Sequence, residues 1–326
     1  MASIREVAKR AGVAACTVSR VLNGTASVAP ETRMRIEQAM KELDYVPNEL
    51  ARGMFRQKAG IIAMLVPSIK HPFFSSLADC IERRLYERGW KLMLCSTGDD
   101  VEREQEYLNF FRSNLVDGVI LAVNNLDAEV YEAFQKPLIM LDRYVAPEIP
   151  LVVSDHRMGG RLAAEEFMRN RCRYVIHLCS EGPADEIISY ESHIELENIL
   201  NRHQIFCRKV EIKWNSFDFQ EYRKLAKLIL QSYPEIDGVM AADMPASAFL
   251  SAALELGKKV PEGFCVVGYD GTYISNFNPI PMTTIIQPIE AIAECVVEMM
   301  TELTEKRPLK QRYVRLPVEL RKGESS

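Results

Sequence analysis

Apolar residues near the amino terminus recur at the spacing of a helix face, whereas from about residue 60 they gather into short runs separated by helical stretches. Ile4, Val7, Ala8 and Ala11 stand at i, i+3, i+4 and i+7, behind a Ser3-x-x-Glu6 capping box and ahead of Gly12. This predicts one short amphipathic helix with defined ends. Val18, Val21 and Leu22 form a second stripe that stops at Asn23-Gly24, leaving Ala15, Cys16, Ser19 and Arg20 on the other face. Two short helices joined by a tight glycine turn make a helix-turn-helix pattern. Pro30 and Glu31 open a third helix with Ile36, Ala39, Met40 and Leu43 facing inward, enough to close a small three-helix core. A helix of this width fits the DNA major groove, where small and polar side chains near its start reach base edges.

Beyond this head, apolar runs at 61–66, 91–95, 118–123, 138–141, 174–178, 238–241 and 264–268 alternate with helical segments, which predicts an α/β body of parallel sheets covered by helices. An internal echo divides that body. Val116-Asp117-Gly118-Val119-Ile120-Leu121-Ala122 returns 120 residues later as Ile236-Asp237-Gly238-Val239-Met240-Ala241-Ala242, the mark of two lobes of similar build. Open parallel sheets bind ligands outside the carboxyl ends of their strands, so two facing lobes form a cleft. The residues that follow the runs are His71-Pro72-Phe73-Phe74, Asp142-Arg143, Ser154-Asp155-His156, Asp243 and Tyr269-Asp270-Gly271-Thr272. Carboxylates and arginine pair with hydroxyls and aromatic faces cover the apolar side of a sugar ring, so the set suits a polyhydroxylated ligand. Phe73 and Phe74 as plain core, and Asp142 with Arg143 as a structural ion pair, are the alternatives.

Charge sharpens the division. The net charge of −5 averages a head, residues 1–58, with ten Lys and Arg against six Asp and Glu, and a remainder with 30 against 39. A head at +4 on a body at −9 fits one end meeting a polyanion. No run approaches the roughly 18 apolar residues of a membrane span, and no secretory pattern opens the chain, so a soluble cytoplasmic protein is expected. Eight cysteines without a C-x-x-C pair suggest neither a zinc knuckle nor a disulfide framework. The sequence lacks G-x-G-x-x-G and G-x-x-x-x-G-K-[ST] loops and any Ser/His/Asp or metal-ligand spacing, which argues against an enzyme and predicts no cofactor and no metal.

The run Ile4-x-x-Val7-Ala8-x-x-Ala11-Gly12-Val13-x-x-x-Thr17-Val18-Ser19-Arg20-Val21-Leu22-Asn23, followed by Tyr45-Val46-Pro47-Asn48-x-x-Ala51-Arg52, resembles the DNA-binding headpiece of the lac repressor (LacI/GalR) family. By position, the resemblance implies that Ala15, Cys16 and Arg20 face bases while Thr17, Ser19, Asn23, Thr32 and Tyr45 lie near phosphates. It also implies a hinge that folds only when two subunits pair over the operator, with Leu50 and Ala51 in it and Met54 as the apolar wedge in the minor groove. Segment 47–56 is too short to be a stable helix alone. Three departures stand out here: Ala14 and Ala29 replace the usual Ser or Thr N-caps, and Phe55 replaces a basic neighbour of the wedge.

In the body, Val260-Pro261-Glu262-x-x-x-Val266-Val267-Gly268-Tyr269-Asp270, Thr283-Thr284-Ile285-x-Gln287-Pro288 and Leu316-Pro317-Val318-Glu319-Leu320 resemble the periplasmic-binding-protein-like domain of the same family. Its Tyr-Asp-Gly-Thr, Asp142-Arg143 and Gly159-Gly160 runs look most like those of sucrose and related sugar-operon repressors. The resemblance implies that Asp142, Asp270 and Gln287 contact sugar hydroxyls, with Phe73, Phe74, Arg143, Asp155 and Asp243 as further effector-site candidates. Ser192 stands where the family carries an effector-gripping arginine, and Glu195 where it carries a glycine. The expected organisation is a head at 1–46, a hinge at 47–58 and a body at 59–326, with lobe 1 at about 59–154 and 287–312 and lobe 2 at about 155–286 and 313–326. The implied function is a repressor of a sugar-utilisation operon, a homodimer on a pseudo-palindromic operator, controlled by a sugar or phosphosugar. With no heptad after Leu320, a dimer is favoured over a tetramer. A sugar-binding protein without a regulatory role explains the body as well, but not the head.

Overall fold

A computed structural model of the chain describes residues 2–23, 28–46, 58–123, 125–180, 187–212 and 217–326. They fall into two compact units, one of 1–61 with 113–117 and one of 62–112 with 118–326.

In the first unit, helices α1 (Ile4–Ala11), α2 (Ala15–Asn23) and α3 (Pro30–Glu42) follow the apolar spacing. The capping box forms in both directions: Ser3 N donates to Glu6 Oε2 at 2.7 Å and Glu6 N donates to Ser3 Oγ at 3.3 Å. Gly12 then leaves the helix at φ 67°, a left-handed conformation that a side chain would oppose. Val7, Ala8, Ala11, Val18, Ile36 and Ala39 form the small core. Ala29 gives α3 no side-chain cap, and Pro30, which has no N–H to satisfy, takes the first turn. The expected hinge positions Leu50, Ala51 and Met54 lie outside the described residues.

The remaining chain builds two six-stranded sheets. The first lobe contains β1 (Ile61–Val66), α4 (Pro72–Glu87), β2 (Lys91–Ser96), α5 (Val101–Phe110), β3 (Gly118–Leu121), α6 (Ala128–Glu132), β4 (Leu138–Leu141) and β5 (Leu151–Ser154). The chain then crosses into α7 (His156–Arg169), β6 (Tyr174–Ser180), α8 (Glu191–Arg202), β7 (Phe206–Ile212), α9 (Phe219–Ser232), β8 (Gly238–Ala242), α10 (Asp243–Glu255), β9 (Cys265–Asp270) and β10 (Thr283–Ile286). It returns for α11 (Ile289–Thr304) and β11 (Tyr313–Leu316) and crosses again to β12 (Glu319–Arg321). Strand orders are β11-β5-β4-β3-β1-β2 and β12-β10-β9-β8-β6-β7, the same plan twice. Strand β12 runs antiparallel to β10 at the edge of an otherwise parallel second sheet.

The repeated Asp-Gly pair does the same work in each lobe. Asp117 accepts from Ala59 N and Gly60 N at 2.6 and 2.7 Å, just before β1, and Asp237 accepts from Arg173 N and Tyr174 N at 2.8 Å, at the start of β6. Each carboxylate therefore ties down the chain as it enters the neighbouring strand. Ile62, Met64, Ile120, Ile139, Ile292 and Val296 centre the first core, so α11 belongs to that lobe. Phe249, Phe264 and Val266 centre one core of the second lobe, and Phe167, Leu196 and Val267 the other.

The expected lobe boundary needs one correction. Residues 313–316 pair in the first sheet, Tyr313 opposite Leu151, rather than joining 319–326 in the second. Only Pro317 and Val318 separate the two edge strands, too short a connection for any composition change to mark the crossing.

Candidate functional site

The carboxyl ends of both sheets face one cavity of about 940 Å³, closed at its base by the crossover segments. Strands β4 and β9 hold the same place in their sheets, and each ends in an aspartate forced into positive φ, Asp142 at 51° and Asp270 at 101°. Side chains disfavour this region, so the surrounding bonds must hold the backbone there. For Asp142 they are Ser154 N, donating to Oδ1 at 3.1 Å, and His156 Nε2 at 3.0 Å from the same oxygen. Asp270 accepts from Gln287 Nε2 at 2.8 Å, and Ser154 Oγ donates to Gln287 Oε1 at 2.8 Å. The other ring nitrogen of His156 meets the Tyr269 hydroxyl at 2.8 Å. Two chains of polar contacts thus run from lobe to lobe: Asp142–His156–Tyr269 and Ser154–Gln287–Asp270.

Burial sets the protonation of this base. It pushes the Asp270 carboxyl well above its ordinary range, with the nearby Asp243 and Asp142 carboxyls adding to the shift. It likewise holds the Tyr269 hydroxyl protonated. A protonated Asp270 offers an O–H donor as well as an acceptor. Burial also pulls the Arg143 guanidinium below its ordinary value, against the opposing pull of Asp99, Glu104 and Asp142.

The cavity brings together Phe73, Phe74, Asp142, Arg143, Ser192, Asp270 and Gln287 of the sequence candidates. Phe73 lines the cavity and is also core, at 5% exposure. Ser192 is buried and its Oγ donates to Ser189 O at 2.8 Å. Two candidates lie elsewhere. Asp155 caps α7, accepting from Met158 N, and approaches Arg315 at 3.6 Å, so its carboxylate serves the crossover. Asp243 spends its oxygens internally, accepting from Thr272 N, Thr272 Oγ1 and Thr284 Oγ1 at 2.6 to 2.7 Å. Asp243 borders a smaller recess beside the main cavity.

Several lining residues were not among the effector-site candidates named from the sequence, although His71 belongs to the run that follows the first strand. His71 caps α4 through Nδ1 and stands edge-on to Phe74 and to Phe217 of the other lobe, with ring centroids 5.1 and 5.2 Å away. Burial pushes its pKa down to about 4. Asn125 lines the cavity while donating to the buried Glu104 through N and Nδ2 at 3.1 and 3.0 Å, and the Tyr131 hydroxyl donates to the other Glu104 oxygen. His193 lies beside Ser192. The position of His71 after the first strand was the one available signal; the others sit on loops or on helix faces whose pattern marks only the core.

Approach of the α7 backbone to α8 requires Gly160: a Cβ there would lie 3.0 Å from the Ser192 carbonyl carbon and closer still to its oxygen. In the head, Cys16 and Arg20 are exposed on α2, and Thr17, Ser19 and Thr32 are half-buried. Ala15 and Tyr45 pack partly on the helical core. Asn23 ends α2. Among the described residues no helix is long and apolar enough to cross a membrane, and no His, Cys, Asp or Glu group is placed to hold a metal ion.

A helix-turn-helix head with a two-lobed body enclosing a polar cavity defines the class of ligand-controlled DNA-binding proteins. Residues 3–48 match the model of bacterial regulatory proteins of the lacI family, and 164–326 match the periplasmic binding protein-like domain. The ribose operon repressor of Halalkalibacterium halodurans is 33% identical over 321 residues, 98% of this chain and 96% of that protein. The sucrose operon repressor of Streptococcus mutans is 32% identical over 327 residues, 100% of this chain and 99% of that one. The crystal structure of the lac repressor dimer bound to operator and the anti-inducer ONPF superposes with a TM-score of 0.84 at 24% identity, covering 99% of this chain and 98% of that one, a likeness of fold. The chain belongs to the lacI family of bacterial regulatory proteins. These relatives are repressors, not enzymes.

Proposed function

We propose that the protein is a cytoplasmic repressor of a sugar-utilisation operon, acting as a homodimer on a pseudo-palindromic operator and controlled by a sugar in the interlobe cavity. The observation that carries this is the pairing of Asp142 and Asp270 at matching strand ends, each bonded to a crossover residue of the chain. A ligand that hydrogen-bonds these carboxyl groups acts directly on the segments about which the lobes turn. If it binds one lobe angle more tightly than another, it shifts the population between them. In the dimer, the lobe angle sets the spacing of the two hinges and their ability to fold on DNA. In the head, Cys16 and Arg20 on the exposed face of α2 are assigned to base edges, with Ala15 beside them, and Thr17, Ser19, Asn23, Thr32 and Tyr45 to the phosphate backbone. Leu50, Ala51 and Met54 are assigned to the minor groove.

The test is fluorescence anisotropy with DNA from the protein's own upstream region, across salt concentrations, with and without ribose and sucrose. Salt-sensitive, sequence-selective binding that changes with one sugar is expected. Equal affinity for random DNA would refute it.

A further inference from the structure

The second lobe contains a buried polar relay outside the contacts described so far. His177 on β6 and His193 on α8 stack with ring centroids 5.0 Å apart and join Nδ1 to Nδ1 at 2.9 Å. The other nitrogen of His177, Nε2, lies 2.7 Å from Glu197 Oε1, one turn beyond His193 on the same helix. A hydrogen bond between two ring nitrogens needs one proton and one lone pair, so the far end of the relay decides its direction.

Glu197 fixes that end. The His177 hydrogen bond lowers its pKa, so it is ionised and only accepts. Nε2 of His177 therefore carries a proton, and where that is the ring's single proton its Nδ1 is a lone pair. Nδ1 of His193 must then donate. Burial pushes the pKa of His193 down to about 3, so it is neutral and its Nε2 bears no proton. Among the described residues that nitrogen has no protein partner, and His193 lines the cavity. It is an acceptor waiting for a donor.

We propose that His193 is a specificity-determining acceptor, with His177 and Glu197 as positioning residues, and that it selects an unphosphorylated polyhydroxy or amino sugar over the phosphorylated form. A phosphate monoester near neutral pH supplies oxygen acceptors and negative charge, and a lone-pair nitrogen repels both. The carboxyl groups of Asp99 and Asp142 on the same cavity oppose an anion further, with Arg143 as the counterweight. An arginine at the position of Ser192 would have reversed this preference by presenting donors. The inference rests on the cavity being the sugar site.

The experiment has two arms on the full chain. Long-range proton–nitrogen spectra of the ligand-free protein labelled with 15N-histidine read each tautomer. The proton is expected on Nδ1 of His193 and on Nε2 of His177. A doubly protonated His177, or a His193 protonated on Nε2, overturns the relay. Glu197→Leu is expected to scramble the His193 tautomer, and Glu197→Gln, whose amide oxygen still accepts, to restore it; no change in the leucine variant overturns the positioning role.

In the second arm, thermal shifts compare ribose and sucrose with ribose 5-phosphate and sucrose 6-phosphate. A shift from a parent sugar and none from its phosphate is expected, with His193→Leu binding the parent about tenfold more weakly. A larger shift from the phosphate overturns the proposal. If no sugar of either kind shifts the transition, the sugar-sensing function fails, and the tautomers alone decide the relay.

Discussion

Replacing Gly160 by alanine sets two opposed effects against each other on helix α7. Alanine stabilises a helix interior by about 1 kcal/mol relative to glycine. Against this, the new Cβ would press on the Ser192 carbonyl of α8 and lie 3.1 Å from Glu195 Cβ, where ordinary carbon contacts are 3.5–4.0 Å. The obstacle is backbone, which has no rotamer to change, and Ser192 is fixed by its bond to Ser189 and by burial. Overpacking of this kind costs about 1–3 kcal/mol, so after the helix gain the net loss is about 0–2 kcal/mol, and the close approach to backbone oxygen places it at the upper end. For a unit of this size each kcal/mol lowers the midpoint by roughly 2–4 °C, and circular dichroism melting is expected to show a fall of a few degrees. Since α8 also holds Ser192 and His193, the sugar-induced thermal shift is expected to shrink in the same variant. A Gly160→Ala protein that melts at or above the wild-type temperature would show that the α7–α8 approach is not tight, and the argument from the glycine would fall.

Tyr131→Phe removes the hydroxyl that donates to Glu104 and accepts from Leu126 N, leaving a fully buried carboxyl short of a partner; urea unfolding is expected to show a loss of about 1–3 kcal/mol. A loss near zero would mean that water reaches Glu104. Burial raises the Asp243 carboxyl to about 6, above its value in the unfolded chain, so its contribution is full below pH of about 4 and is lost as the pH rises through about 6. Asp243→Asn is therefore expected to flatten the decline of melting temperature over that window, and an unchanged slope would refute the assignment. Cys16 alone among the eight cysteines is exposed, so limiting iodoacetamide is expected to label it first and operator DNA to protect it. Mass spectrometry after labelling reads both, and equal labelling with and without operator would count against Cys16 facing bases.

The three head helices were legible because their apolar spacing agrees with the capping box and Gly12 stop of α1 and with Pro30 at the start of α3. The central strands β1, β3, β4, β6, β8 and β9 were legible as apolar runs because helices cover both faces of a parallel sheet. Strand β7, Phe-Cys-Arg-Lys-Val-Glu-Ile, was not, since an edge strand half in water carries charges that interrupt any run. Strand-end aspartates were visible as site candidates, but Asp142 and Asp243 look alike in sequence. What separates them is whether threonine hydroxyls or open space face the carboxylate, and Thr272 and Thr284 are 29 and 41 residues from Asp243. His193 was hidden for a similar reason: its partner His177 lies 16 residues back on a strand, and the Glu197 that His177 bonds lies one helical turn ahead, so only the fold aligns them.

Consecutive edge strands β11 and β12 belong to different sheets, with only Pro317 and the fully buried Val318 between them. Together with the passages after Ser154 and after Ile286, this pins the lobes together at three neighbouring points. Three short pins resist sliding and stretching but allow swivelling about the line through them. Whatever occupies the cavity, its message therefore leaves the body as an angle, and a weakly bound molecule that changes that angle says more than a tightly bound one that does not.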